Sequence, residues 1–557
     1  MSASPVRKIV IVGGVAGGAT AAARIRRLDE HAEIVLIERG PDIAFANCGL
    51  PYHIGGEIED RDALRVQTVA GMKARYNLDI RTRSEVVAID RQRRVVRVTD
   101  HAGGRAYEES YDTLLLSPGA APIRPPLPGV EHPAVFTLRN LQDMDRIRDA
   151  TNSARTAVVV GGGFIGLEMV ENLHRRGVSV TLVELLPQVL PPMDAEFAER
   201  LRRELVAHGV TLHLGDAVAG FEDRAGRLGV QLRSKAVLEA DLVILAVGVR
   251  PDTQLARDAG LELNQRGGII VDEHMRTSDP HIYAVGDAVE ISDAVLGGPT
   301  MLPLAGPANR QARIAADNIC GRPSTFRGVQ GTAIVRVFGL TAACTGASEK
   351  TLRQRGVAYE SITVFPKSHA GYFPGAAQMM LKLLFAPPEG RILGAQIVGG
   401  EGVDKRIDVL ALAIQAGLTT FDLEQAELAY APQYGSAKDP INIAGFVAGN
   451  KLRGDVHCLG PAEVEPQLAQ QYTLLDVRNP DEVAAGTIPG SINIPLPLLR
   501  RRLDEIPRDK PVLVFCAVGQ RGYYACRCLS QHGYSCSSIC GGYAAYDLAR
   551  TAGGAGA

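Results

Sequence analysis

A short apolar strand, a glycine turn and a helix occur twice in this chain, and that duplication limits the fold more than any other feature. Lys8-Ile9-Val10-Ile11-Val12 runs into Gly13-Gly14-Val15-Ala16-Gly17-Gly18 and an alanine-rich helix from Ala19 to Leu28. Ala157-Val158-Val159-Val160 runs into Gly161-Gly162-Gly163-Phe164-Ile165-Gly166 and a helix from Leu167 to His174. Each unit continues into a second strand that ends in an acid, Glu38 after Glu33–Ile37 and Glu184 after Ser179–Val183. Glycines allow a tight turn and close approach to a pyrophosphate, the helix N-terminus stabilises the phosphates, and the acid takes a ribose hydroxyl. Two dinucleotide sites on parallel α/β sheets are therefore expected. The first departs from the fingerprint at Val15, where the second glycine would stand. The second carries all three glycines, and Glu184 would repel a 2'-phosphate, which favours NADH over NADPH. Arg175 and Arg176 fall on the preceding helix and read as its solvated face.

At 557 residues the chain exceeds one hydrophobic core, and roughly 150 residues per domain implies three or four domains. Hydrophobic residues at 46% and charged residues at 22% describe an ordinary globular chain, and a net charge of -2 gives no electrostatic case for nucleic acid or an anionic membrane. No apolar run approaches the ~18 residues of a membrane helix, and Met1–Pro5 leads directly into a strand pattern. A cytoplasmic protein is expected. Nine scattered cysteines do not form a disulfide framework, and Cys526, Cys528, Cys536 and Cys540 lack the paired spacing of a zinc site, so no metal is expected.

Further strand-to-glycine segments complete the pattern: Asp112–Gly119 ending in Ser117-Pro118-Gly119, Asp241–Gly248, and Ile282-Tyr283-Ala284-Val285-Gly286-Asp287. With them residues 7 to about 448 resemble the two-dinucleotide-fold flavoprotein disulfide reductases. The resemblance implies FAD on the first fold, held by Gly13, Val15, Ala16, Gly17, Gly18, Glu38, Arg39, Asn47, Ser117, Gly119, Arg139 and Asp287, with Leu304, Ala305 and Ala308 at the helix entry beside the flavin ring. It implies NADH on the second, at Gly161, Gly163, Phe164, Ile165, Gly166, Glu184 and Gly248.

The redox cysteine separates the subfamilies. Phe45-Ala46-Asn47-Cys48-Gly49-Leu50-Pro51-Tyr52 holds a single cysteine, with Tyr52 or His53 where a second would stand. A lone thiol cannot close an internal disulfide, so its oxidised form is a sulfenic acid or a mixed disulfide with an outside thiol. The motif resembles the coenzyme A-disulfide reductase subgroup, Ala44 replacing an expected serine. By the same resemblance residues from Gly331 to Gly445 form an α+β dimerisation domain, and Tyr372 with Tyr430 or Tyr434 reaches the partner's cysteine and the coenzyme A sulfur. Arg24, Lys73 and Asn47 are the matching coenzyme A candidates.

Near the other end, Leu474–Glu482, Gly486–Pro495 and Val512-Leu513-Val514-Phe515-Cys516 follow in order and resemble a single rhodanese domain. Cys516 opens a loop, Cys516-Ala517-Val518-Gly519-Gln520-Arg521, whose N–H groups and helix end would lower the thiol pKa and cradle a persulfide, with Gly519 in the loop and Arg521 closing it.

The expected architecture is α/β throughout: a discontinuous FAD domain over 1–122 and 249–325, an NAD(P)H domain over 123–248, a dimerisation domain over 326–448, a polar linker over 449–462 and a rhodanese domain over 463–557. The implied activity is a homodimeric reductase of coenzyme A persulfide, disulfide or polysulfide with a sulfur-transfer module. An NADH oxidase or peroxidase cycling Cys48 through sulfenic acid, and a flavin redox sensor, stay open as alternatives.

Overall fold

The computed structural model describes residues 6–224, 226–464 and 471–554. The chain separates into two compact units, one formed by the residues up to Leu182 with Val218–Val329, the other by Val183–Ala217 with the residues from Gln330 onward. The division falls within the strand Ser179–Glu184.

In the first unit the central sheet orders its strands Ile282–Ala284, Thr113–Leu116, Lys8–Val12, Glu33–Ile37 and Asp79–Arg81, all parallel. Their continuous apolar runs are those of strands covered on both faces, and Val10, Val35, Leu36, Leu114 and Leu115 are fully buried. The helix Ala16–Leu28 lies on this sheet and starts three residues earlier than the sequence suggests, because Val15 rather than Gly18 ends the turn. A second parallel set joins Thr156–Val160 to Leu242–Leu245 and then Val135–Phe136. The helix Phe164–Arg175 follows it directly.

The second unit holds an antiparallel sheet in the order Ala333–Val337, Leu340–Gly346, Arg391–Gly399, Met380–Ala386 and Glu360–Val364, with helices Val403–Gln415 and Pro440–Leu452. Buried Lys382 meets Asp194 at 3.0 Å and also pairs with Glu196, so the charge lost from water is compensated inside the fold. A parallel sheet of His457–Leu459, Cys536–Ile539, Val512–Phe515, Thr473–Asp476 and Ile492–Asn493 follows.

Residues 449–462, expected as a polar linker, carry regular structure instead. The helix Pro440–Leu452 covers their start, His457–Leu459 is an edge strand paired with Cys536–Ile539, and Pro461–Glu463 is a 3-10 turn. Gly445 and Gly449 are not flexible spacers: one turn apart, they face the helix Thr420–Glu424 so closely that a Cβ would lie 2.6 Å from the Glu424 nitrogen and 1.9 Å from its Oε1. Among the described residues no helix is long and apolar enough to cross a membrane.

Candidate functional site

The first glycine turn is built as a phosphate cradle. Gly13 adopts φ +94°, and a Cβ there would lie 2.1 Å from the Ser117 carbonyl oxygen. A Cβ on Gly18 would lie 1.8 Å from the Gly13 oxygen, so strand and helix close only around glycine. The helix Ala16–Leu28 has neither a side-chain cap nor an acid in its first turn, so its N-terminal N–H groups and dipole are available to an anion. Glu38 accepts from the N–H of Gly14 at 2.7 Å and of Gly40 at 2.6 Å, which fixes its carboxylate at the turn. Arg39 and Arg139 flank Asp252 at 2.9 and 3.8 Å, and Arg139 donates to the Pro118 carbonyl. Leu304 leaves the N-terminus of the helix Ala305–Ile319 without a side-chain cap as well, and Ala308 is buried in its first turn. Burial pushes the Asp287 carboxyl up, while Arg139 acts in the opposite direction. These residues fit a flavin dinucleotide.

The second turn repeats the design. Gly161 has φ +107°, and a Cβ on Gly166 would lie 1.8 Å from the Gly161 oxygen. The helix beginning at Phe164 and Ile165 again lacks a side-chain cap and a first-turn acid. Gly248 also has φ +107°. Arg175 pairs with Glu57 at 3.3 Å and Arg176 donates to Asn152 at 2.8 Å, so neither arginine is held out as a phosphate ligand. In the second unit, Glu184 accepts from the Leu186 N–H at 2.8 Å.

Cys48 sits in the 3-10 turn Asn47–Gly49, followed by the short helix Leu50–Ile54. The strand of loop before it is tied to the flavin cradle, because Ala44, in the left-handed region at φ 44°, donates to the Gly14 oxygen and Ala46 donates to Leu64. The positions where a second redox cysteine would stand are used otherwise. Buried His53 meets the Ile58 carbonyl and Arg148, and the Tyr52 hydroxyl donates to Glu168 Oε1 at 3.3 Å. Cys48 is exposed, yet the protein around it, and then the carboxylates of Glu168 and Asp287, push its thiol up from the ordinary range. Glu168 is the residue sequence reasoning missed. Burial, with the Glu171 charge adding to it and the Tyr52 hydroxyl opposing, raises its carboxyl to about 7. An acid two residues beyond the third fingerprint glycine was the available signal.

The remaining candidates fall in separate places. Arg24 is turned inward onto Asp317 at 2.8 Å, whereas Lys73 is exposed on the helix Val69–Tyr76. Tyr372 and Tyr430 share a hydrogen bond between hydroxyls at 3.1 Å, and Tyr372 and Tyr434 are 77% and 69% exposed.

In the C-terminal sheet Cys516 follows the strand Val512–Phe515 and is buried. The Gly519 N–H donates to its Sγ at 3.2 Å, and Gly519, at φ +97°, starts the helix Gln520–Gln531 without a side-chain cap. Arg521 faces Cys516 and is gripped by Glu482 at 2.7 and 2.5 Å, which pulls the Glu482 carboxyl down to about 2. Glu482, 39 residues earlier, was also not singled out in the sequence. Behind the loop Arg478 pairs with buried Asp476 and lies 4.4 Å from the centre of the Tyr543 ring.

Comparison with known proteins gives three successive matches along the chain. The family model for pyridine nucleotide-disulphide oxidoreductases matches residues 7–312, that for their dimerisation domain residues 332–439, and that for rhodanese-like domains residues 461–549. The coenzyme A disulfide reductase of Staphylococcus epidermidis is 37% identical over 446 residues, 80% of this chain and 100% of that protein. Among solved structures, reduced CoADR-RHD of Bacillus anthracis superposes with a TM-score of 0.96 at 49% identity, covering 98% of this chain and 99% of that one. A NAD-dependent persulfide reductase from A. fulgidus gives 0.91 at 37% identity over 97% and 100%. The chain belongs to the pyridine nucleotide-disulphide oxidoreductase family, with that family's dimerisation domain and, beyond it, a rhodanese-like domain.

Proposed function

We propose that the chain is a cytoplasmic, homodimeric oxidoreductase that uses NADH to reduce coenzyme A persulfides, disulfides or polysulfides at Cys48, and that its rhodanese-like domain passes sulfane sulfur through Cys516. The observation that carries the reading is a single redox thiol on a loop hydrogen-bonded to the flavin cradle, with Tyr52 and His53 committed to other contacts. Bound FAD would supply two electrons drawn from NADH. The Cys48 thiolate attacks a sulfur–sulfur bond of the substrate, expels coenzyme A thiol and keeps the other half as a mixed disulfide or persulfide. Two electrons and two protons then restore the thiol and release the second product, which is hydrogen sulfide when the substrate is a persulfide. Glu168, titrating near 7, holds and returns a proton beside Cys48 at neutral pH. Tyr372 and Tyr434 protonate the departing thiolate across the dimer, and Lys73 and Asn47 meet the coenzyme A phosphates. Arg24 has a smaller part in that contact, because Asp317 already neutralises it.

Cys48→Ser tests this directly. NADH-dependent turnover of coenzyme A disulfide and persulfide should fall at least a hundredfold, with flavin content and NADH-driven flavin bleaching retained. Retention of sulfur-substrate turnover in the variant would refute the role of Cys48, and loss of oxygen reduction alone would favour an oxidase.

A further inference from the structure

Two thiols of the C-terminal domain that the proposed chemistry does not use stand against each other. Cys526 lies midway along the helix Gln520–Gln531, whose first turn forms the Cys516 loop. Cys536 opens the strand Cys536–Ile539, which lies beside the Cys516 strand with Val512 opposite Cys536. The Cys536 S–H donates to the Cys526 carbonyl oxygen at 3.3 Å, which sets the two cysteines side by side. Neither Cys528 nor Cys540 shares this arrangement: the Cys528 Sγ lies 4.0 Å from His532 Nδ1, and the Cys540 Sγ accepts from the Thr363 N–H at 3.0 Å.

We propose that Cys526 and Cys536 form a second sulfane-sulfur site, a dithiol that reduces persulfides or polysulfides without flavin and closes to a disulfide joining the Cys516 helix to the neighbouring strand. The two thiols are unequal in the way such a reaction requires. Cys536 is half-buried and reachable, whereas Cys526 is only 2% exposed. The hydrogen bond from Cys526, then the Ser530 N–H and the charge of Arg527, pull the Cys536 thiol down, while Cys526 is pushed up. Cys536 is thus the attacking thiolate and Cys526 the resolving thiol.

The Cys536 sulfur attacks the terminal sulfur of R–S–SH, breaking that S–S bond and releasing RSH, so that Cys536 becomes a persulfide. The Cys526 sulfur then attacks the Cys536 Sγ, forming the intramolecular disulfide and expelling hydrosulfide, which leaves as hydrogen sulfide with the Cys526 proton. Two thiols and one persulfide yield one disulfide, one RSH and one H2S; the protein thiols are oxidised and the sulfane sulfur is reduced. Closure brings the two Sγ atoms to about 2.0 Å. Two equivalents of a small free thiol reopen the bond.

The site is read covalently, so its test does not depend on Cys48 turnover. The full-length reduced enzyme is treated with sodium tetrasulfide, alkylated with iodoacetamide and digested with trypsin without reductant. Mass spectrometry should find Gly522–Arg527 joined to Cys528–Arg550, about 2 Da lighter than the two fragments together, with fragmentation placing the bond on Cys536. In Cys526→Ser, Cys536 should instead carry one extra sulfur, about 32 Da. Recovery of both thiols alkylated from wild-type protein whose Cys516 has become a persulfide would overturn the proposal, as would a cross-link at Cys528 or Cys540. The wild-type digest decides the matter even where the serine variant fails to fold.

Discussion

Replacing Glu168 by glutamine isolates the most displaced carboxyl beside Cys48. The amide keeps an oxygen for the Tyr52 hydroxyl, so shape and hydrogen bond survive while the charge is removed. A carboxyl that titrates near 7 in the folded chain and near 4.5 when unfolded binds its proton more tightly in the fold. Below pH 4.5 both states are protonated and the group contributes nothing. Between 4.5 and 7 unfolding releases the proton, so stability falls as pH rises, and above 7 the full cost of an ionised, poorly hydrated carboxylate remains. At about 1.36 kcal/mol for each pH unit between the two values the ceiling is about 3.4 kcal/mol, and residual water around a half-buried group reduces this to about 1–2 kcal/mol. Urea unfolding of the flavin-free protein at pH 5 and pH 8 measures it. Glu168→Gln should match wild type within about 0.5 kcal/mol at pH 5 and exceed it by about 1–2 kcal/mol at pH 8. A constant difference at both pH values, or a variant weaker at pH 8, would refute the displaced carboxyl.

Gly18→Ala should purify with less than about a tenth of the wild-type flavin, measured as absorbance per chain, because its Cβ would lie 1.8 Å from the Gly13 backbone oxygen. Cys516→Ser should abolish thiosulfate or persulfide sulfurtransfer and leave NADH-dependent reduction of small coenzyme A substrates within about twofold; equal loss of both activities would mean that the two thiols form one obligatory relay. NADH should exceed NADPH in kcat/KM by at least about tenfold, since Glu184 opposes a 2'-phosphate and Arg175 and Arg176 are engaged elsewhere. Steady-state kinetics with both donors check this.

Local necessity decided what could be read from the sequence. Gly13, Gly18, Gly161 and Gly166 announce themselves because a Cβ at any of them would collide with the backbone of the turn or of the neighbouring strand. Cys48 and Cys516 are legible for a similar reason, each standing in a run whose neighbours shape the backbone around sulfur. What escaped depends on contacts between distant segments. The properties of Glu168 come from packing near Tyr52 and Glu171, and the role of Glu482 comes from Arg521, so neither is written in the flanking residues. Residues 449–462 misled through composition. Glycine, asparagine and lysine read as a flexible connector, but Gly449 is small to admit the helix Thr420–Glu424, and His457–Leu459 becomes a strand only because Cys536–Ile539 lies beside it.

The two thiols proposed for the chemistry have different neighbours. Cys516 accepts an N–H from Gly519 and faces the Arg521 guanidinium. Burial, and then the carboxylates of Glu168 and Asp287, push the Cys48 thiol up. A site that must attack sulfur–sulfur bonds gains from this arrangement only if the proton has somewhere to go. Moving it from Cys48 to ionised Glu168 creates the nucleophile without changing the net charge of a partly desolvated site, whereas losing it to water adds a negative charge beside Asp287. On the proposed reading, the surroundings of Cys48 favour its thiol, and Glu168 is the group placed to take the proton. Without that carboxyl, the rate of thiolate formation should follow hydroxide concentration through neutral pH.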